Sequence, residues 1–235
     1  MIGSGFLLCR SFTMACYNPP MASRANGRSS AARVIRTLAA RYAAKPDMDL
    51  GNPKDTLIGV LLSARTRDAN VLKIYPAFKK RFPTFASLAA STPAEIATSI
   101  STIGLYRAKA KAIHGLSTII VARHTGKVPR TMEDLMALPG VGRKTANCVL
   151  SYVYGDATVC VDTHVFRIAH RIGWSKGRTP EAVERDLQAL IPKSMWSAIN
   201  RSFVQFGRDI CIPRTPKCWK CPVARWCAYQ NKTRE

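Results

Sequence analysis

The sequence predicts an all-α protein. Apolar residues recur at helical spacing from residue 29 onward, and no alternating run of useful strand length appears. Prolines also stand where helices begin, as at Pro53 and Pro180, where the missing N–H costs nothing.

The elements follow in order. From Ser29, the residues Val34, Ile35, Leu38 and Tyr42 mark a first helical face. Asn52-Pro53 opens a second helix, whose run Leu57, Ile58, Val60, Leu61, Leu62 is apolar on nearly all sides and should be buried. A third runs after Thr66 through Val71, Leu72, Tyr75 and Phe78 to Lys79-Lys80-Arg81. Short segments near 85–88 and 93–99 precede a long helix from about Arg107 to His124. Beyond Asp162, Val165, Phe166, Ile168, Ala169 and Ile172 form a buried helix. Pro180 starts another with Glu181 and Glu184 in its opening turns. Met195 to Phe206 closes the series.

Charge points to the partner. The 235 residues carry 36 Lys and Arg against 14 Asp and Glu, a net charge of +22. Such an excess favours a polyanion, nucleic acid ahead of a membrane. No apolar run approaches the roughly 20 residues that span a bilayer, so a soluble protein is expected. No acidic residue precedes Asp47, and residues 1–28, with Pro19-Pro20 and scattered Gly and Ser, read as a disordered basic extension. A transit peptide, a DNA-binding arm, or a start at Met14 or Met21 are the alternatives.

Chemistry concentrates between Leu138 and His164. Leu138-Pro139-Gly140-Val141-Gly142 is a hairpin between helical patterns, and Pro139 should end the preceding helix near Leu138. Gly140 and Gly142 permit positive φ and put no side chain between backbone and ligand. The helix starting at Arg143 then offers free N–H groups and a positive dipole end, a site for a DNA phosphate that reads no base. Lys144 lies in its first turn, where the dipole and Arg143 should lower the lysine pKa and favour free amine. Asp162 follows at a turn into the next helix, as a carboxylate able to orient the amine or move its proton. His164 is expected to be structural.

Four of the eight cysteines form the pattern Cys211-x6-Cys218-x2-Cys221-x5-Cys227. Four grouped thiolates suit a metal centre. Zinc is one candidate, although zinc modules usually pair two CxxC knuckles and only one is present here. An iron–sulfur cluster is the other. Cys148 and Cys160 read as small buried apolar residues.

LPGVGRKTAN followed by VDTHVFR resembles the endonuclease III family of helix-hairpin-helix DNA glycosylases. The resemblance covers roughly residues 30–228. It implies two helical lobes with the active site in the cleft between them: residues 52–157 as one lobe with the hairpin, and 29–51 plus 158–235 as a discontinuous lobe with a C-terminal cluster loop. It makes Lys144 the nucleophile at the sugar carbon, with Asp162 assisting. The four cysteines then match the family's [4Fe–4S] spacing, and Arg214, Lys217, Lys220 and Arg225 in and beside that loop would meet phosphates. Leu61 to Asp68 also falls on a family motif, with Arg65 where the pattern usually has the glutamine that fills the gap left by a flipped nucleotide. An arginine there can fork onto the orphaned base, guanine being the natural partner; a plain phosphate contact is the alternative. Ile103 to Arg107 matches the intercalating loop, with Leu105 as the wedge. Read without the family, Leu105 would be a core leucine.

The resemblance thus implies a bifunctional glycosylase and abasic-site lyase acting on oxidised pyrimidines in duplex DNA, as a monomer, by a lysine Schiff base and β-elimination. A cytoplasmic, nucleoid-associated enzyme is expected, with organelle targeting by the extension as the alternative. A monofunctional mismatch glycosylase would share the fold but normally lacks the hairpin lysine. An inert hairpin DNA-binding protein would have no use for Lys144 with Asp162.

Overall fold

Asn52 shows how closely the local code is obeyed. Its side chain accepts from the backbone N–H of Asp55 at 2.9 Å, and Pro53 follows as the first residue of helix α2 (Pro53–Ser63). The computed structural model describes residues 21–42 and 46–235. Every regular element among them is a helix or a helical turn.

The remaining α-helices are α1 (Met21–Arg41), α3 (Asp68–Arg81), α4 (Phe85–Ala89), α5 (Pro93–Ser99), α6 (Tyr106–His124), α7 (Met132–Met136), α8 (Arg143–Tyr154), α9 (Thr163–Ile172), α10 (Pro180–Leu190) and α11 (Trp196–Asp209). Thr84 with Ser87, and Thr92 with Glu95, form reciprocal capping boxes at α4 and α5. Such caps stabilise helices too short to persist alone.

Two apolar cores organise these helices. The first gathers Leu57, Leu61, Phe78, Ile113, Leu135 and Val149, with α2 packed on α8 and with α4 and α5 on α6. The second gathers Val34, Leu38, Val165, Ile168, Leu187 and Phe203, with α1 and α9 packed on α11. Between Val159 and Val161, which belong to the second core, Cys160 turns into the first. The chain crosses from one core to the other just before Asp162.

Two particulars depart from the sequence expectation. Helix α1 begins at Met21, eight residues before Ser29, so the part 21–28 of the expected disordered extension is helical. Its polar, acid-free sequence has no apolar stripe to announce a helix, but Arg28 is tied to the carbonyl of Ala189 at the end of α10, at 3.1 Å. Residues 1–20 of that extension, with Cys9, Cys16 and the alternative start Met14, lie outside the described residues. The helix before the hairpin is the short α7, separated from α6 by a turn at Thr125 and Gly126, both at positive φ. It ends at Met136, close to the stop expected from Pro139.

Candidate active site and cluster loop

Lys144 is the second residue of α8 and Asp162 caps α9, so each stands at a helix N-terminus. Asp162 is in extended conformation, and its Oδ1 accepts from the N–H groups of His164 at 2.9 Å and Val165 at 2.8 Å. Those two bonds orient the carboxylate. Both residues line one cleft of about 1120 Å³, together with Arg65, Asp68, Tyr152 and Arg208. Among the described residues no carboxylate lies within ion-pair distance of the Lys144 ammonium, so the amine is not locked to a partner. The side chain is walled by protein but open to solvent through the cleft.

The expected lowering of the Lys144 pKa is reversed. Cys148, one turn along α8, raises it most as thiolate; burial opposes, and Asp162 adds to the rise. The Arg143 charge that should have depressed it is absorbed elsewhere. Its guanidinium forms a bidentate pair with the buried carboxylate of Glu184 on α10, at 2.8 and 3.0 Å. Arg143 therefore joins α8 to α10.

The hairpin glycines divide the work. Gly140 has φ +77, and a Cβ there would sit 2.7 Å from Ala112 Cβ and 3.3 Å from Leu61 Cδ1. Gly142 has φ −92, so it needs no positive φ, and its missing Cβ would point into open space. The first glycine is demanded by backbone and packing. The second leaves the α8 N-terminus accessible.

Arg65 and Leu105 share an unusual conformation. Both are left-handed, at φ +56 and +61, a region that non-glycine residues rarely occupy outside functional turns. Arg65 is exposed in the cleft wall. Leu105 is 57% exposed, which excludes the core reading. Gly104 brings the two loops together: a Cβ on it would lie 3.6 Å from Thr66 Oγ1 and 3.8 Å from the Arg65 carbonyl.

Sequence reasoning passed over Arg208, Asn200 and Tyr152. Arg208 on α11 pairs with Asp47 at 2.7 Å and with Asp68 at 2.5 Å, bridging the mouth of the cleft. Asn200 hydrogen-bonds Tyr152 on α8 and donates to the Cys160 carbonyl at 3.3 Å. No spacing pattern could have found these bridges, because their partners lie far apart in the chain. His164 does not touch the Asp162 carboxylate through its ring; Nδ1 meets Arg167 at 3.1 Å, and burial lowers its pKa.

Cys211, Cys218, Cys221 and Cys227 line a single small cavity after α11, with Ile172, Phe206 and Val223 as apolar walls. Arg171 folds over this loop, donating to the carbonyls of Ile212 at 2.7 Å and Pro213 at 2.5 Å, and reaching the Cys211 sulfur at 3.4 Å. Burial pushes the Cys221 thiol up to about 11 and that of Cys227 upward as well. Among the described residues, no three His, Cys, Asp or Glu side chains are gathered as one metal ion would require.

Residues 58–193 match the family of HhH-GPD superfamily base excision DNA repair proteins. Endonuclease III of Thermotoga maritima is 42% identical over 77% of this chain and 85% of its own length. That of Escherichia coli K12 is 38% identical over 79% and 88%. The chain belongs to the endonuclease III family. It is a base excision repair DNA glycosylase and abasic-site lyase.

Solved structures of the family share the fold. A trapped endonuclease III–DNA covalent intermediate superposes with a TM-score of 0.81 at 35% identity, covering 86% of this chain and 95% of that one. A thermostable thymine-DNA glycosylase gives 0.79 at 27% identity, covering 88% and 98%. No described helix is long and apolar enough to cross a membrane.

Proposed function

We propose that this glycosylase/lyase removes oxidised pyrimidines from duplex DNA with Lys144 as nucleophile and Asp162 as its assisting carboxylate. The observation that carries the reading is their meeting in one cleft, each on a helix N-terminus, in a family that includes an enzyme trapped covalently on DNA. The free amine of Lys144 attacks the deoxyribose C1′, and the base leaves with the glycosidic electron pair. Asp162 offsets the positive charge that develops, accepts a proton from the attacking amine and delivers it to O4′ as the C1′–O4′ bond breaks, which opens the sugar ring and leaves the Schiff base. Loss of a C2′ proton then expels the 3′ phosphate by β-elimination, cutting the strand.

The extruded nucleotide needs a gap-filler and a wedge. Arg65 suits the first role and Leu105 the second, since both project from strained loops that touch. Gly140 shapes the hairpin, and Gly142 with the α8 N-terminus receives a phosphate. The outer face of Arg143, still 44% exposed beside Glu184, adds positive potential there.

The four cysteines fit a [4Fe–4S] cluster. Their thiols share one apolar cavity, and the spacing Cys211-x6-Cys218-x2-Cys221-x5-Cys227 resembles the family's cluster motif rather than the paired CxxC knuckles of zinc modules. Arg171 would offset part of the negative charge. When bound, the cluster supplies a covalent tie for the loop carrying Arg214, Lys217, Lys220 and Arg225. Iron and sulfide assays on the purified protein, with its visible absorption, test this; stoichiometric zinc would overturn it.

The two cores support the division into lobes 52–157 and 29–51 plus 158–235, with Met48 and Cys160 crossing into the first core. The protein acts as a monomer in this reading. The primary test is borohydride trapping on duplex DNA carrying thymine glycol, with parent and Lys144→Ala side by side. A cross-linked adduct from the parent alone is expected. Strand cleavage without an adduct would replace the amine mechanism with a hydrolytic one.

A further inference from the structure

Lys109 takes no part in the chemistry above, yet it is tied to both loops assigned to the duplex. It stands in the first turn of α6 and is 7% exposed. Its ammonium donates to the Leu62 carbonyl at 2.7 Å and to Thr66 Oγ1 at 2.9 Å. Its backbone N–H donates to the Leu105 carbonyl at 3.0 Å.

The placement has a physical logic. Leu62 lies in the last turn of α2, where carbonyls lack intrahelical partners and the dipole favours a cation. Leu62 and Thr66 bracket Arg65, so the ammonium holds that loop on both sides of its left-handed residue. Leu105, also left-handed, is the residue just before α6. A buried ammonium is costly unless acceptors meet it, and methionine would fill the same space without that cost. Mere packing does not call for a lysine.

We propose that Lys109 is a positioning residue that locks the Arg65 and Leu105 loops into one preformed wedge, so that both side chains enter the duplex together. This rests on the reading of those loops as gap-filler and wedge. With the relative placement set before DNA arrives, base-step opening need not also order two independent loops.

The test uses the full protein and duplex DNA carrying thymine glycol beside 2-aminopurine, whose fluorescence rises on unstacking. Lys109→Met should slow that rise by about tenfold. It should lower base release from the paired lesion more than strand cleavage at an abasic site in an unpaired bubble. Lys109→Arg should recover part of the loss, and adding Lys109→Met to Leu105→Ala should slow unstacking less than the product of the two effects. Parent-rate unstacking by Lys109→Met, or equal losses on paired and unpaired DNA, would overturn the proposal while leaving the loop reading intact. Parent-rate unstacking by both Leu105→Ala and Arg65→Ala would instead overturn the loop reading. Should Lys109→Met lose its helical circular dichroism, Thr66→Val removes one acceptor and carries the same test, parent-rate unstacking again counting against the proposal.

Discussion

As the proposed nucleophile, Lys144 would have to lose a proton before attack, and its surroundings hold that proton. Its pKa is above the usual lysine value through Cys148, with burial opposing and Asp162 adding. The amine fraction therefore grows as pH rises, and the initial rate of borohydride trapping should climb from neutral into alkaline solution. Cys148→Ala removes the largest cause of the rise and should move that profile to lower pH; an unmoved profile would clear Cys148 of any influence. The proposed catalytic role of Asp162 and its observed capping role can be separated by substitution. Asp162→Asn keeps an oxygen for the His164 and Val165 N–H groups but loses the carboxylate, so activity should fall while the melting temperature holds. Asp162→Ala should lose both, with a capping cost of roughly 0.5–2 kcal/mol in denaturant unfolding. At Arg65, comparison with Arg65→Gln across the four opposite bases should show a preference, guanine leading, that the glutamine variant lacks. The candidates Lys144, Asp162 and Arg65, which the structure brings into one cleft, could be picked out in the sequence because hairpin and motif spacing are local. The upward pKa was not, since Arg143 spends its charge on Glu184, a residue on another helix.

At the scale of elements, the hairpin and the α2–α3 corner make separate predictions. Gly140→Ala forces an L side chain into a left-handed φ, about 1–2 kcal/mol of strain, besides meeting Ala112 Cβ at 2.7 Å. Gly142→Ala meets nothing, so it should leave stability unchanged and weaken DNA binding alone. Equal melting temperatures for the two variants would contradict this division. In α2, Asp55 is fully buried, with Lys79 at 2.6 Å, Lys54 at 2.9 Å and Tyr75 at 2.9 Å. Burial alone would raise its pKa, but hydrogen bonds from Lys79, Asn52, Lys54 and Tyr75 outweigh it and bring it from 3.8 to about 2. The depressed carboxylate contributes full stability above its unfolded value and loses it as pH falls through the folded one. Acid unfolding between 3.8 and about 2 should therefore be shallower in Asp55→Asn, whose overall stability should also be lower. The helices themselves were largely legible, through Asn52-Pro53 and the periodic apolar runs. The separate α7 was missed although Thr131 caps it much as Thr84 caps the equally short α4.

For the whole molecule, charge sets affinity and the bridges between cores set geometry. With +22 net, duplex binding should weaken steeply with salt, the logarithm of Kd rising linearly with the logarithm of salt concentration. A salt-insensitive Kd would contradict the electrostatic account. The cleft is held in shape by pairs that join distant chain segments: Arg208 to Asp47 and Asp68, Arg143 to Glu184, and Tyr152 to Asn200. Oxidised lesions would be met in a space whose walls come from helices α2, α3, α8, α9 and α11 together.

The sequence by itself determined the all-α class, most helix starts, the polyanionic partner and the residues of the hairpin, because each depends on spacing along the chain or on composition. Only the tertiary structure decided that Leu105 is exposed rather than buried, that Gly142 is open while Gly140 is hemmed in, and that Lys109 reaches Thr66, 43 residues away in the chain. Those outcomes depend on which surfaces pack against which. A helical period reveals that a face is apolar, but not which neighbour will cover it or which polar group will lie opposite.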